Sequence, residues 1–189
     1  ADILIITLQD SVLDNEVSSI LDLFKVEFKE AILSANFQLA FKIISKIKTV
    51  YSQNKNRSNN FKKLIYDFWF KISGNEVSKP LEYGLAKLDP NNVVFFKRTI
   101  LMLNHNIIYV LVNFLSNAKL KNLHKLFMET LGILATKNIA PIERLFNSKD
   151  EELLKKLVRV VSTIKTPQAV CLLTKITGHE SEIIRLQAL

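Results

Sequence analysis

The stretch Ala140-Pro141-Ile142-Glu143-Arg144-Leu145-Phe146 decides the fold, because its pattern returns about every thirty residues. Counterparts begin at Lys79, Ile108 and Val170. The stacked segments give two apolar columns: Leu81, Val110, Ile142 and Leu172; and Leu85, Phe114, Phe146 and Ile176. Both columns step by 29, 32 and 30 residues. A fixed period of this size is typical of a solenoid, in which each unit buries its apolar face against its neighbours.

Before this periodic region, apolar residues at spacings of three and four predict helices over 15–34, 36–53 and 61–72. From residue 77 the helices come in regular pairs. The first helix of each pair is predicted to start near Pro80, Tyr109, Pro141 and Cys171. The second helices are predicted at 91–103, 119–135, 150–165 and 180–189. Local cap chemistry adds Asp14 or Asn15, Asp89 or Asn91, and Ser148 or Asp150 as expected N-caps.

The predicted fold is therefore all-α, an α-α superhelix built from about six antiparallel helix pairs. We expect a single domain over 1–189, in which 1–75 forms degenerate or capping helices and 76–189 forms regular repeats. The apolar helical pattern still runs at Leu189, and the chain starts at Ala1, so we expect a fragment of a longer array.

Composition excludes several classes of protein. Apolar residues make up 48% of the chain, which excludes a disordered protein. A single cysteine excludes an internal disulfide framework and favours a reducing, cytoplasmic location. The uncharged stretch from Thr99 to Ala118 has the length of a membrane span, but Asn104-His105-Asn106 interrupts its centre. We expect no membrane segment there and place the break between two helices.

The helix, short Asp-containing turn and second helix together resemble the HEAT repeat. Asp89-Pro90-Asn91-Asn92-Val93-Val94 is similar to the family's turn and second-helix entry. The best single unit runs from Ala169 to Arg185. The resemblance covers residues 76–189. Over residues 15–74 only the succession of predicted helices is similar. The resemblance implies a right-handed superhelix with the second helices on the concave side, a fold used for protein binding. Taken with the Lys-, Asn- and Ile-rich composition, it also leads us to expect a bacterial protein.

Charge is unevenly distributed along the chain, whose formal net charge is +8. Residues 1–30 contain seven acidic and two basic side chains, whereas residues 31–63 contain seven basic side chains and no acid. Such a basic block attracts phosphate or an acidic protein. The alternative is a solvated helix face that only promotes solubility.

A second group of cations recurs with the repeat, at the start of successive second helices. We call this group the basic column: His124, Lys125, Lys155, Lys156 and Arg185. Equivalent positions line up across a solenoid, so these side chains are predicted to form a basic stripe that binds an acidic partner. In the alternative that the resemblance implies, they pair structurally with acids of neighbouring turns, such as Glu151 or Glu180.

Motifs for catalysis or metal binding are lacking in the sequence. It contains no His-x-x-x-His, no Cys-x-x-Cys and no glycine-rich phosphate loop. His179-Glu180 is similar to the iron-binding pairs of HEAT-type deoxyhypusine hydroxylases, but that family needs several pairs and this chain has one. Cys171 is predicted to be a packed small hydrophobe rather than a nucleophile. We expect no cofactor, no metal and no enzymatic activity.

The remaining motif is Tyr66-Asp67-Phe68-Trp69-Phe70, which lies beside the basic block. Aromatic rings among cations suit exposed bases and phosphate. Asp67 and Trp69 are faintly similar to residues that HEAT-like alkylpurine DNA glycosylases place near a lesion. The alternative is the buried face of one helix, formed by Phe61, Ile65, Phe68, Trp69 and Ile72.

The sequence thus predicts a non-enzymatic, HEAT-like protein-binding scaffold that presents a partly basic surface to an acidic protein. The alternative is a nucleic-acid-binding protein related to the HEAT-like alkylpurine DNA glycosylases. A spacing module within a larger protein is a third reading.

Overall fold

The computed structural model describes residues 5–8, 13–54 and 56–189. Within these ranges the chain is helical and contains no strand, which confirms the all-α class. The described helices include none with the length and apolar character needed to cross a membrane. The chain divides into two compact units, unit 1 (Ala1–Asn104) and unit 2 (His105–Leu189). The prediction of a single domain stays a prediction.

Unit 1 contains five described α-helices beyond a helical turn at 5–8. They are α1 (Asp14–Leu33), α2 (Phe37–Gln53), α3 (Asn59–Ser73), α4 (Ser78–Leu85) and α5 (Val93–Met102). Short 3-10 turns at Asn75–Val77 and Pro90–Asn92 precede α4 and α5.

Helix α1 is the centre of unit 1. Its buried face packs against α2, α3 and α4, and α2 in turn packs against α5. The pair α1–α2 therefore lies on the pair α4–α5, first helix to first helix and second to second, while α3 is an extra helix against α1. Phe37 and Phe96 join α2 to α5, with an edge-to-face geometry and 5.4 Å between ring centroids.

The junction between α1 and α4 is unusually close. Gly84 of α4 is buried, and a methyl group built on it would overlap the carbonyl oxygen of Ile32 at the end of α1. That end is closed by a Schellman turn, in which Asn36 N–H donates to Ala31 and Ala35 N–H donates to Ile32. Ala35 adopts a φ of 59° in this turn.

Unit 2 contains six α-helices. They are α6 (Ile107–Leu115), α7 (His124–Lys137), α8 (Ala140–Leu145), α9 (Glu151–Ser162), α10 (Pro167–Ile176) and α11 (Glu182–Gln187). A 3-10 turn at Ala118–Leu123 precedes α7. Like helices again lie together, because α6 packs against α8, α7 against α9, and α9 against α11.

The helix starts agree with the periodic pattern to within a few residues. Asp89 and Asp150 are the N-caps of the segments that follow them, as predicted, and their carboxylates accept backbone N–H groups. The break at 104–106 does lie between α5 and α6. Two details were wrong: α1 begins at Asp14 after Leu13 without a side-chain cap, and residues 118–123 form a 3-10 turn rather than the start of α7.

Candidate binding surfaces

Within unit 2, the long cations of the basic column turn back toward the protein. The Lys156 ammonium donates to the carbonyl of Leu115, the last residue of α6, over 2.5 Å. The Arg185 guanidinium donates to the carbonyls of His179 (2.8 Å) and Glu180 (2.9 Å), in the turn before α11. Since carbonyls at helix ends and in turns lack regular backbone partners, these cations satisfy them.

The other members of the column differ in their surroundings. The His124 ring lies 3.4 Å from the carbonyl of Asn117. Lys155 forms an ion pair with Glu152 of the same helix at 2.5 Å. Of the five, Lys125 is exposed and the others are half-buried. The cations of the basic column therefore pair within the protein, mainly with backbone carbonyls rather than with the acidic side chains that the resemblance implies. Binding of a partner by this column stays a prediction.

A different basic surface lies in unit 1, across the neighbouring helices α2 and α5. Together these helices contain five cations and no acidic residue: Lys42, Lys46, Lys48, Lys97 and Arg98. Lys42, Lys48 and Arg98 are exposed. With no carboxylate on either helix, the two helices contribute only positive charge to this surface.

The same surface carries apolar and aromatic groups. Phe41 of α2 and Phe95 of α5 are half-buried, with 6.2 Å between ring centroids. The Arg98 guanidinium lies 5.9 Å from the centroid of Phe41, within cation–π range. Val94 is 53% exposed beside them. We define the basic surface of unit 1 as the exposed face formed by Lys42, Lys48, Val94 and Arg98 around these two rings.

The sequence missed Lys97 and Arg98 as members of a site, because they are more than thirty residues beyond the basic block of 31–63. The block itself is divided between α2, α3 and the loop joining them. Arg57 of that loop lies over the Phe61 ring at 4.3 Å and donates to the carbonyl of Leu8 at 3.4 Å, so it packs within unit 1. Lys55 lies outside the described residues.

Asp67 and Trp69 do not share one site. They are two positions apart on α3, so their side chains point about 160° apart around the helix. Asp67 lines a small cavity between α1 and α3, whereas Trp69 packs against Phe68 with 5.7 Å between ring centroids. Phe61, Ile65, Phe68 and Ile72 are buried as the structural alternative requires, and Trp69 is half-buried.

Cys171 is exposed, so its prediction as a packed residue was wrong. The buried residues of α10 are Ala169, Leu172 and Ile176, and Cys171 lies at least about 100° away from each around the helix. Among the described residues, no three His, Cys, Asp or Glu side chains come close enough to hold a metal ion.

A cleft of about 700 Å³ lies in unit 2 between two turns, 146–149 and 178–181. His179 borders it, and its Nδ1 accepts the N–H of Ser181 at 3.1 Å, which places the proton of a neutral ring on Nε2. The lining carries charges of both signs, from Lys149, Glu151 and Glu180. The cleft thus lacks the uniform charge of the basic surface in unit 1.

Comparison of the chain with protein-family models, curated proteins and solved structures gives no match.

Proposed function

We propose that this protein is a non-enzymatic scaffold of HEAT-like helix pairs that binds an acidic protein through a basic surface. The observation that carries the proposal is the packing of like helices within each unit. First helices lie against first helices, and second helices against second helices. This is the packing that a stack of repeats requires, and a stack presents the side chains of successive helices at fixed spacings.

The basic surface of unit 1 is the part of the scaffold best suited to binding. Its helices carry positive charge without a carboxylate, and half-buried rings and Val94 lie among the cations. Charge there steers an acidic partner, and the apolar groups supply the buried area that holds it. Because both helices are held by their packing, little conformational entropy is lost on binding. The proposal also includes a cytoplasmic location and a bacterial source. In it, the protein acts by binding a partner and not by catalysing a reaction.

The experiment is direct binding to defined probes, measured by fluorescence anisotropy. We would compare a labelled synthetic helix of Glu and Leu, a matched helix of Lys and Leu, and a Glu-rich peptide without Leu. The acidic amphipathic helix is expected to bind best, and Lys42→Glu with Arg98→Glu to abolish its binding. Equal affinity for the Lys and Leu helix would contradict the proposal.

Nucleic acid binding is the second candidate, supported by Arg98 over the Phe41 ring in a basic setting. Single-stranded and mixed-sequence duplex DNA belong in the same assay at two salt concentrations. Phosphate contacts release counterions, so this candidate requires affinity that falls steeply with salt. Binding of DNA at physiological salt that exceeds binding of the acidic helix would favour this candidate over the scaffold.

A further inference from the structure

Helix α1 carries an exposed stripe that is both acidic and apolar. We define this acidic stripe by Asp22, Leu23, Val26, Glu30 and Leu33. At 3.6 residues per turn these five residues fall within a sector of about 100°. The buried residues of α1 occupy the opposite side, where α2, α3 and α4 pack. Leu23 is 52% exposed and Val26 is 56% exposed.

The charge of α1 is predominantly negative. The helix contains five acidic and two basic side chains. Both cations are already engaged: Lys25 pairs with Asp22 at 3.0 Å, and Lys29 pairs with Glu76 at 2.6 Å. The Lys25 side chain is only 22% exposed, so it lies toward the protein, while Asp22 is 60% exposed. The outer face of α1 therefore carries two exposed carboxylates, of which Asp22 is paired with Lys25, beside three exposed aliphatic side chains.

The acidic stripe and the basic surface of unit 1 carry opposite charges. Each also has exposed apolar groups beside its charged side chains. We propose that two copies of this chain associate through unit 1, with the acidic stripe of one copy lying on the basic surface of the other. The inference rests on the binding role proposed above, because it names an occupant for that surface.

A protein occupant fits the surface better than a phosphate backbone does. Val94 and the exposed parts of the Phe41 and Phe95 rings lose water-accessible apolar area when they meet Leu23 and Val26. A phosphate backbone offers these apolar side chains no comparable contact. The opposite charges set the orientation, and the apolar contacts supply the affinity.

The stripe and the basic surface are different faces of one unit. Two copies can therefore exchange both contacts in a closed dimer, or each contact can leave one stripe and one basic surface for a further copy. In either case we expect average mass to rise with concentration above that of the monomer. We also expect high salt to lower it, because the charges are exposed and screened.

The test is sedimentation equilibrium of the full chain and two charge-reversal variants. The first variant is Asp22→Lys with Glu30→Lys, and the second is Lys42→Glu with Arg98→Glu. Each variant alone places like charges on both faces, so its association is expected to weaken at least about tenfold. An equimolar mixture of the two restores one acidic and one basic face per contact, so association is expected to return.

Two controls match the variants in net charge but lie in unit 2. Glu151→Lys with Glu180→Lys matches the first variant, and Lys137→Glu with Lys165→Glu matches the second; all four residues are exposed. Both controls should associate as the wild type does. Recovery in the mixture also shows that both reversal variants are folded.

A wild type that stays monomeric at the highest soluble concentration would overturn the proposal, as would a mixture that stays monomeric when the wild type associates. Equal weakening by the controls would assign the association to net charge and also overturn it. A monomeric wild type that still binds the acidic helix would leave the scaffold function standing without self-docking. The two proposals therefore fail in distinguishable ways.

Discussion

The two units contain similar numbers of cations on their second helices but use them differently. In unit 2, Lys156 and Arg185 donate to backbone carbonyls that the ends of earlier segments leave unsatisfied. In unit 1, Lys42 and Arg98 remain exposed on helices without any carboxylate. The comparison shows that a cation's place in the periodic pattern does not make it a binding residue, because Lys156 and Arg185 donate to backbone carbonyls of their own unit.

The consequence differs between folding and binding. A cation that satisfies a partly buried carbonyl stabilises the fold and has little capacity for a ligand, since releasing it leaves that carbonyl without a partner. An exposed cation contributes little to stability and keeps its capacity to steer a partner. Variants of the two units should therefore separate effects on stability from effects on binding.

The greatest loss of stability is expected from a change in the helix packing that supports the basic surface of unit 1. Gly84→Ala places a methyl group on the Ile32 carbonyl, so α4 must shift away from α1. Overpacking against backbone is expected to cost about 3 kcal/mol of unfolding free energy. Urea denaturation measures the change, and anisotropy with the acidic helix measures the loss of binding.

The matched control is Gly132→Ala in α7 of unit 2. There the added methyl group would meet only the Thr163 hydroxyl at 3.3 Å, a side-chain atom that can adjust. Alanine also favours the helix over glycine by up to about 1 kcal/mol. We expect a change within about 1 kcal/mol and unaltered binding. An equal loss of stability in both variants would contradict the close junction at Gly84.

The next prediction concerns the unfolding free energy of two variants, each of which removes one cation, one from each unit. Lys156→Met keeps the aliphatic stem but removes the donor to the Leu115 carbonyl, so we expect a loss of about 1.5–2 kcal/mol in unfolding free energy. Lys42→Met removes an exposed cation, and its effect on stability is expected to be within about 0.5 kcal/mol. Urea denaturation of both variants gives the two values.

Binding should respond in the opposite sense. Lys42→Met is expected to weaken binding of the acidic helix several-fold, while Lys156→Met leaves it unchanged. If Lys156→Met instead weakens binding without destabilising the protein, the basic column is a binding site and the contrast between the units is wrong.

The sequence predicted the parts of this molecule that depend on local chemistry. Helix periodicity follows from apolar spacing, and Asp89 and Asp150 cap their segments because an Asp carboxylate satisfies backbone N–H groups a few residues ahead. Packing of Phe61 and Ile72 on one face of α3 also follows from spacing alone.

What the sequence missed depends on which segments come together. The acceptor of Lys156 lies 41 residues earlier in the chain, and no local pattern indicates it. Arg98 joins Lys42 in one surface only because α5 packs on α2. Cys171 shares a repeat position with the buried Pro141 but lies on the exposed side of α10. The periodic alignment gives the position in a repeat, whereas exposure depends on the neighbouring helices.

The smallest effect concerns the ion pair that holds Lys29 away from the acidic stripe. The hydrogen bond from the Lys29 ammonium, 2.6 Å long, lowers the pKa of Glu76 below its usual 4.5. A carboxyl with a lowered folded-state pKa stabilises the fold above pH 4.5, and this contribution is lost as pH falls through the folded pKa. Glu76→Gln should therefore lower unfolding free energy at pH 7 by about a few tenths of a kcal/mol, since Glu76 is exposed and screened.

The difference between Glu76→Gln and the wild type should disappear in acid and at high salt, as urea denaturation across pH would show. Freed of Glu76, Lys29 adds an unpaired cation to α1, so self-association in sedimentation should weaken slightly. Lys175 and Glu143 of unit 2 form the matched pair, 2.7 Å apart, with the pKa of Lys175 raised by Glu143. The contribution of this pair to stability is present below the unfolded-state pKa of Lys175 and is lost as pH rises through the folded-state pKa of Lys175. Because the pair lies in unit 2, Glu143→Gln should leave self-association unchanged. A shift in self-association from Glu143→Gln that equals the shift from Glu76→Gln would remove α1 from the contact and leave the two units alike.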